Sequence, residues 1–178
     1  NLAALKTDSV MARERNYELS PGDDGRMLGK VSVKYTNKSD FSTFTTRYRS
    51  WTRLYVPEGS ELVSVNVGGV DMKKEEMTVE KEFGKTAFGL FFEVEPKSSK
   101  QVVWTYRLPV KIMDQISAGE YTLSIQKQPG LPSLELALDL NFSKDIVKQS
   151  GLPLMTGTRE IKHAQTLWND EFFTVWTR

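Results

Sequence analysis

Cysteine is absent from this chain of 178 residues, and histidine occurs only once, at His163. Without thiols the chain forms no disulfide framework, no thiolate metal site and no cysteine nucleophile. The segment "TREIKHAQTLW" around the histidine lacks the spacing of a hydrolytic triad or a zinc site. We therefore interpret His163 as a surface residue of a strand and predict neither a bound metal nor a cofactor.

Long apolar runs are also lacking. The longest run has only a few residues, far short of the roughly 20 that a membrane helix needs, and no signal peptide is recognisable. The 24 basic and 23 acidic residues nearly cancel, which argues against a nucleic-acid partner. The chain begins at Asn1 rather than at methionine, so we expect an upstream part in which any membrane anchor lies.

Signatures of catalysis are missing as well. Neither a phosphate-binding glycine loop nor a G-x-S-x-G elbow occurs, and the carboxylates between positions 75 and 82 alternate with lysines in the manner of solvated charge. We predict no catalytic residue and a chain that is not an enzyme. One enzymatic hypothesis stays open, a site assembled from loop carboxylates and His163, because folding rather than sequence distance sets such geometry.

What the sequence has in abundance is alternation of apolar and polar residues, the pattern of half-buried strands. Five segments show it most clearly, and their apolar positions are Met27, Val31, Val33 and Tyr35; Phe88, Leu90, Phe92 and Val94; Val102, Trp104, Tyr106 and Leu108; Tyr121, Leu123 and Ile125; and Leu134, Leu136, Leu138, Leu140 and Phe142. Trp176 is in phase with Phe172 and opposite Phe173 and Val175. The pattern predicts one shared core.

Turn signals separate these segments at short intervals, and Gly68-Gly69 predicts a two-residue hairpin. We predict an all-β fold, an antiparallel two-sheet β-sandwich of immunoglobulin-like shape with about ten strands and little helix. A turn or two of helix is expected in each of "NLAALKTDSVMA" and "FSKDIVKQS". The chain is interpreted as one domain, 1–178, with a leading segment, 1–20, and a closing segment, 143–178. Residues 143–166 are a candidate cover for an exposed strand edge.

Two stretches are candidate binding sites. In "RYRSWTRLYV" five side chains share one face of a strand; they are Arg47, Arg49, Trp51, Arg53 and Tyr55. The preferred interpretation is that these guanidinium groups and rings cover the solvent side of a sheet, and the alternative is a glycan-binding platform. In "YTLSIQKQPG" the residues Gln126, Lys127 and Gln128 precede a strand-ending Pro-Gly pair; we interpret them as a structural clasp, with a loop ligand site as the alternative.

Several segments together resemble a known family: "NLAALKTD", "YRSWTRLYVPEGSELVSV", "EFGKTAFGLFFEVEPKSSKQVVWTYRLP", "YTLSIQKQPG" and "DEFFTVWTR". They are similar to the C-terminal region of the bacterial envelope family called domain of unknown function four thousand and twelve. The resemblance covers most of the chain, and the order of Tyr48 to Pro57, Tyr106 to Pro109 and Gln126 to Gly130 is its most specific part.

The resemblance implies an address and a context but no reaction. The family consists of large extracytoplasmic proteins held by an N-terminal membrane helix, in candidate-phylum and Gram-positive bacteria. Its upstream part is faintly similar to enzymes that attach glycopolymers to the cell wall, and those motifs are not in this chain. We therefore expect a non-catalytic structural or interaction module of the cell envelope, partnered by an upstream domain and by wall glycan or another envelope protein. The alternatives are a glycan-binding module and an accessory domain of a cell-wall glycopolymer enzyme.

Overall fold

The computed structural model describes residue 2 and residues 5–131, 133–152 and 158–178. Within this part of the chain lie thirteen strands, one α-helix and two short 3₁₀ turns. The strands are β1 Met11–Pro21, β2 Met27–Asn37, β3 Tyr48–Pro57, β4 Glu61–Val67, β5 Val70–Asp71, β6 Met77–Glu82, β7 Lys85–Val94, β8 Ser98–Arg107, β9 Glu120–Ile125, β10 Leu134–Asn141, β11 Ile146–Ser150, β12 Glu160–Leu167 and β13 Glu171–Thr177; the helix α1 is Val110–Ser117, and the 3₁₀ turns are Thr7–Val10 and Lys74–Glu76. Neither α1 nor the 3₁₀ turns combine the length and apolar character that a membrane span requires.

A seven-stranded sheet forms one layer of the sandwich, in the order β12-β10-β1-β2-β8-β4-β5. The other layer consists of two separate three-stranded sheets, β3-β7-β6 and β11-β13-β9. The pair β1 and β10 is parallel, and the other strand pairs of the described residues are antiparallel. The predicted all-β sandwich is confirmed, and the division of one layer into two small sheets is a feature that alternation alone did not indicate.

The core contains the apolar side chains that the alternation selected. Each of the five predicted apolar sets is buried or packs against the buried cluster. Trp104 is buried and Phe173 and Val175 lie in the core, while Phe172 is exposed, as their phase predicted. The alternation therefore identifies the core-facing side chains of these five segments, because successive side chains of a strand point to opposite faces of the sheet.

Aromatic side chains join the large sheet to each of the small sheets. Tyr35 on β2 contacts Phe92 on β7 with ring centroids 4.8 Å apart. On the other side, the hydroxyl groups of Tyr17 on β1 and Tyr121 on β9 lie 2.8 Å apart in a hydrogen bond within the core. Both small sheets thus pack on the same face of the large sheet, because Tyr17 and Tyr35 point to one side of adjacent strands in register.

The predicted hairpin at Gly68-Gly69 is confirmed. Both glycines have positive φ, 61° and 92°, and they join β4 to β5. The amide of Gly69 donates a hydrogen bond to the side chain of Asn66 over 2.9 Å. Glycine is favoured at both positions because residues with a Cβ avoid this conformation.

The helix expected in "FSKDIVKQS" is wrong, because that segment forms β11. Ile146 is buried in the core, and the backbone groups of Asp145 and Arg178 exchange hydrogen bonds of 3.2 and 2.9 Å that continue the ladder between β11 and β13. In "NLAALKTDSVMA" the one helical turn is the 3₁₀ turn Thr7–Val10, and Asn1, Ala3 and Ala4 lie outside the described residues. Tertiary pairing overrides the weak helical pattern here.

Helix α1 was not predicted, although the sequence carries signals for it. Pro109 stands directly before the helix, and Gly119, with φ 93°, follows its end. The side chains of Ile112, Met113 and Ile116 pack on the core from one side of the helix. At eight residues the helix is too short for its period to stand out among strands.

The closing segment covers a strand edge only in part. Strand β12 pairs with β10 and forms the outer edge of the large sheet. Of the candidate cover at residues 143–166, positions 153–157 lie outside the described residues. In the described part of the segment, coverage is achieved by adding a strand, which moves the sheet edge from β10 to β12.

Candidate binding surfaces

The arginine and aromatic cluster lies on the outer face of the small sheet β3-β7-β6. Arg49, Trp51, Arg53 and Tyr55 project from the outer side of β3, and Arg47 directly precedes that strand. Their alternate neighbours on β3 face the interior, where Tyr48, Ser50 and Val56 are buried. The structure therefore brings the five predicted side chains together on one surface.

Each arginine on this surface pairs with a glutamate on β6, on β7 or directly after β7, the other two strands of the sheet. The contacts are Arg47 with Glu95, Arg49 with Glu93 at 2.8 Å, and Arg53 with Glu82 at 2.8 Å and Glu80 at 3.5 Å. Because carboxylates balance the guanidinium groups, the surface has little net positive charge. Such a ladder suits a solvent-facing sheet or a neutral ligand better than a polyanion.

Trp51 is the centre of this face. It is 39% exposed, and its cross-strand partner Phe91 is 42% exposed. A Cβ at Gly89 would come within 3.2 Å of the indole ring and within 2.5 Å of the Thr78 hydroxyl, so the ring lies close over the glycine. The absent side chain at position 89 is what allows a broad apolar patch with ion pairs on both sides.

Tyr55 marks the end of the patch. Its hydroxyl donates a hydrogen bond of 2.7 Å to Glu82, the carboxylate that also accepts from Arg53. The ring of the exposed Phe83 lies with its centroid 6.3 Å from that of Tyr55. The aromatic edge therefore extends from the sheet into the turn between β6 and β7.

The outer face of the second small sheet, β11-β13-β9, has different chemistry. The indole nitrogen of Trp176 donates to Glu120 over 3.0 Å, and the Lys148 ammonium group lies 4.6 Å from the Trp176 ring centroid. Phe172 on the same strand is exposed. Sequence reasoning placed Trp176 on this side of β13 but did not connect it to Lys148 or Glu120, which are distant in the chain.

The loop block Gln126 to Gln128 lies beside the turn between β12 and β13. The backbone amide of Lys127 donates a hydrogen bond of 2.8 Å to the carboxylate of Asp170. Gln126 and Gln128 are exposed, and Gly130 has φ 84° in the turn that follows. An aspartate of the turn between β12 and β13 therefore holds the backbone of this loop block, and both the structural clasp and the loop ligand site stay predictions.

His163 lies half-buried on β12, at the edge of the large sheet. One ring nitrogen is 3.0 Å from the side-chain oxygen of Gln165. Among the described residues, no group of three or more histidine, aspartate and glutamate side chains is arranged to hold a metal ion. A shallow depression of about 410 Å³ includes His163, Asp139 and Lys162 in its lining.

A polar cluster inside the sandwich was not anticipated from the sequence. The guanidinium group of Arg13 on β1 pairs with Asp8 and donates to the Tyr48 hydroxyl over 3.2 Å. The side chain of Arg13 is only 5% exposed, and its guanidinium group lies over the rings of Tyr35 and Tyr48. Burial lowers the pKa of Arg13, but the Tyr48 hydrogen bond and the Asp8 charge outweigh it, so the net shift is upward.

Arg15 follows two residues later on the same inner face and is half-buried, so it is more accessible than Arg13. Burial lowers its pKa, a nearby tyrosine hydroxyl raises it, and the charge of Arg13 lowers it further, for a net downward shift. The signal in the sequence was the "MARERNYELS" alternation, in which Arg13 and Arg15 are in phase with the core residues Tyr17 and Leu19.

Comparison with known proteins shows a likeness of fold. No family model matches this sequence, and no curated protein matches it. Among solved structures, native leukotriene A4 hydrolase from Saccharomyces cerevisiae is similar with a TM-score of 0.53 and 9% identity, and the match covers 97% of this chain and 30% of that chain. The same yeast hydrolase in complex with bestatin gives a TM-score of 0.53 at 9% identity, covering 98% and 30%.

Aminopeptidase A from Legionella pneumophila, in complex with aspartic acid, matches with a TM-score of 0.47 and 10% identity, over 92% of this chain and 21% of that chain. This chain therefore spans less than a third of the hydrolase chains that it resembles. At such low identity the likeness concerns the fold alone.

Proposed function

We propose that this chain is a non-catalytic structural or interaction module, an accessory domain within a longer protein of the bacterial cell envelope. The observation that carries the proposal is the partial match: nearly all of this chain corresponds to 30% of a much longer hydrolase chain. The charge-balanced surface of the sheet β3-β7-β6 supports it, since the arginines there are already engaged by glutamates. The cell-envelope localisation in this proposal comes from the family resemblance described above.

The test of the module role is an activity assay on the chain with a matched variant. Aminoacyl-p-nitroanilides and cell-wall glycopolymer fragments are the substrates, with and without added Zn²⁺. We expect no turnover above buffer, and equal results for the chain and for His163→Ala. Turnover that His163→Ala abolishes would contradict the proposal and favour the enzymatic hypothesis.

The context of the module is tested separately by reading the gene upstream of the Asn1 codon. We expect a membrane-spanning segment and a large preceding domain. A start codon directly before Asn1, with no further coding sequence on either side, would contradict the accessory-domain role.

A second candidate function is glycan binding, favoured by the exposed pair Trp51 and Phe91 beside Gly89. An aromatic ring offers an apolar face on which a sugar ring can stack, and the adjacent arginine–glutamate pairs supply hydrogen-bonding groups. Titration with peptidoglycan fragments is expected to change tryptophan fluorescence, and Trp51→Ala is expected to lose the change. Trp168→Ala, which removes an exposed tryptophan after β12, is the control. Equal binding by Trp51→Ala would eliminate this candidate.

A further inference from the structure

Arg15 is a half-buried cation that forms no ion pair with a carboxylate in the described part of the chain. Seven other arginines form ion pairs in the described part of the chain: Arg13, Arg26, Arg47, Arg49, Arg53, Arg107 and Arg159. Arg15 has no such pair there, and the groups that shift its pKa besides burial are Tyr35, Arg13 and Tyr48. The undescribed positions, which are 1, 3, 4, 132 and 153–157, contain neither aspartate nor glutamate in the sequence.

Apolar residues flank Arg15 on both neighbouring strands, and its partial burial disfavours the charged form of its guanidinium group. Its Cα partners on the flanking strands are Val33 and Leu136, and both of these side chains are buried. A desolvated charge is unfavourable unless it is paired and hydrogen-bonded. The neighbouring guanidinium group of Arg13 adds repulsion.

Arg13 provides an internal comparison on the same strand face. It has the Asp8 carboxylate and the Tyr48 hydroxyl as partners, so its charge is balanced within the chain. Arg15 lies near the same phenolic groups of Tyr35 and Tyr48 but lacks the acid. Of the two arginines on this strand face, only Arg13 is therefore paired with an acid of the described residues.

We propose that Arg15 binds a single carboxylate group that comes from outside this chain. One unpaired cation matches the single charge of a carboxylate better than the charge of a phosphate dianion. The planar guanidinium fork matches a carboxylate in two parallel hydrogen bonds. Because Arg15 is only half-buried, the group can reach it from solvent, whereas the more buried Arg13 is already engaged.

The test uses the chain as it is, at constant ionic strength. Acetate replaces chloride stepwise, and the unfolding temperature and the Nε–H resonance of Arg15 are followed. We expect a saturable rise in the unfolding temperature and a saturable shift of that resonance. The rise is expected to vanish in Arg15→Met and to persist in Arg159→Met, which removes an exposed arginine outside the candidate binding surfaces. The Nε–H shift in the unmutated chain decides the matter if Arg15→Met does not fold.

Further arms distinguish the source of the carboxylate. Binding of acetate but not of the peptide acetyl-Gly-Glu-Gly-amide assigns the site to a small free acid. Tighter binding of the peptide assigns it to an acidic side chain of another polypeptide. A response to phosphate larger than that to acetate would overturn the assignment to a carboxylate, and so would equal behaviour in acetate and chloride or an acetate effect that survives in Arg15→Met.

Discussion

The two halves of strand β1 face the same interior with opposite chemistry. In the first half, Arg13 and Arg15 enter a polar cluster with hydroxyl groups of the small sheet β3-β7-β6. In the second half, Tyr17 and Leu19 are buried in the apolar core, and Tyr17 is hydrogen-bonded to Tyr121 of the small sheet β11-β13-β9. Strand β1 therefore contacts the two small sheets in different ways. We call the contact of Arg13 and Arg15 with β3-β7-β6 the charged joint, and the contact of Tyr17 with Tyr121 of β11-β13-β9 the neutral joint.

The difference shows that a position in the buried phase of a strand can hold either a charged or a neutral side chain. A buried neutral hydroxyl is satisfied by one hydrogen bond, whereas a buried guanidinium needs an anion as well. The neutral joint is complete within the chain. In the charged joint Arg13 has an acidic partner, whereas Arg15 forms no ion pair among the described residues. The proposed external carboxylate would therefore bind at the charged joint.

The largest expected loss of stability comes from removing a buried phenylalanine ring from either of the two small sheets. Phe88→Ala on β7 and Phe173→Ala on β13 each delete a side chain that is at most 1% exposed. Each is expected to lower the free energy of unfolding by about 3–5 kcal/mol, because apolar contact is lost and a cavity remains. Chemical denaturation measures this.

Hydrogen exchange in the same two variants sharpens the comparison of the joints. If the two small sheets share one cooperative core, both variants lose protection throughout the large sheet. Loss confined to the mutated small sheet would show that the two joints unfold separately.

Breaking the charged joint at its complete end is expected to have the next largest effect. Asp8→Ala removes the anion from Arg13, whose side chain is 5% exposed, and is expected to cost about 1–3 kcal/mol. The matched control is Asp145→Ala, whose partner Arg159 is 63% exposed, with an expected change within about 0.5 kcal/mol. Equal costs in thermal unfolding would mean that burial does not distinguish these pairs.

Breaking the neutral joint is expected to cost less. Tyr17→Phe leaves the Tyr121 hydroxyl without its hydrogen-bond partner, at about 1–2 kcal/mol, and the double variant with Tyr121→Phe is expected to be less costly than the sum of the two single changes. Additive costs in denaturant titration would indicate that the two hydroxyls do not depend on each other.

The neutral joint also predicts a dependence on alkaline pH. Burial raises the pKa of Tyr17, and burial with the Tyr106 charge raises that of Tyr121. A raised folded pKa means that the stabilisation is complete below the unfolded pKa of about 10 and is lost as the pH rises toward the folded pKa. We expect the free energy of unfolding to fall above about pH 10, and to fall less steeply in the double phenylalanine variant.

The smallest expected effect concerns the exposed ladder on the outer face of β3. A double-mutant cycle on Arg49 and Glu93, which are 36% and 35% exposed, is expected to give a coupling of about 0.2–1 kcal/mol that weakens with added salt. A coupling of several kcal/mol, insensitive to salt, would place this pair with the buried Arg13 pair rather than with solvent-facing charges.

Much of the fold was accessible from the sequence because strand alternation is local. The buried set Phe88, Leu90, Phe92 and Val94 and the hairpin at Gly68-Gly69 needed only neighbouring residues to be identified. The segment "FSKDIVKQS" was misassigned because its strand exists only through pairing with β13, more than twenty positions away. Helix α1 was missed because eight residues carry little periodic signal.

The candidate sites divide in the same way. That Arg49, Trp51, Arg53 and Tyr55 share a face follows from alternation alone. Their glutamate partners, and the position of Trp51 over Gly89, required the pairing of β3 with β7 and β7 with β6. The interior cluster of Arg13 and Arg15 was not predicted, because charged side chains are mostly exposed and their partners come from distant segments.

By itself, the sequence determined which side of each major strand faces the core, since side chains alternate across a pleated backbone whatever the strand order. Only the tertiary structure decided which charges meet. The partners of Arg13 come from the turn before β1 and from β3, while Arg15 forms no ion pair with any carboxylate that the structure describes. Both outcomes depend on distances between segments that are separate in the chain.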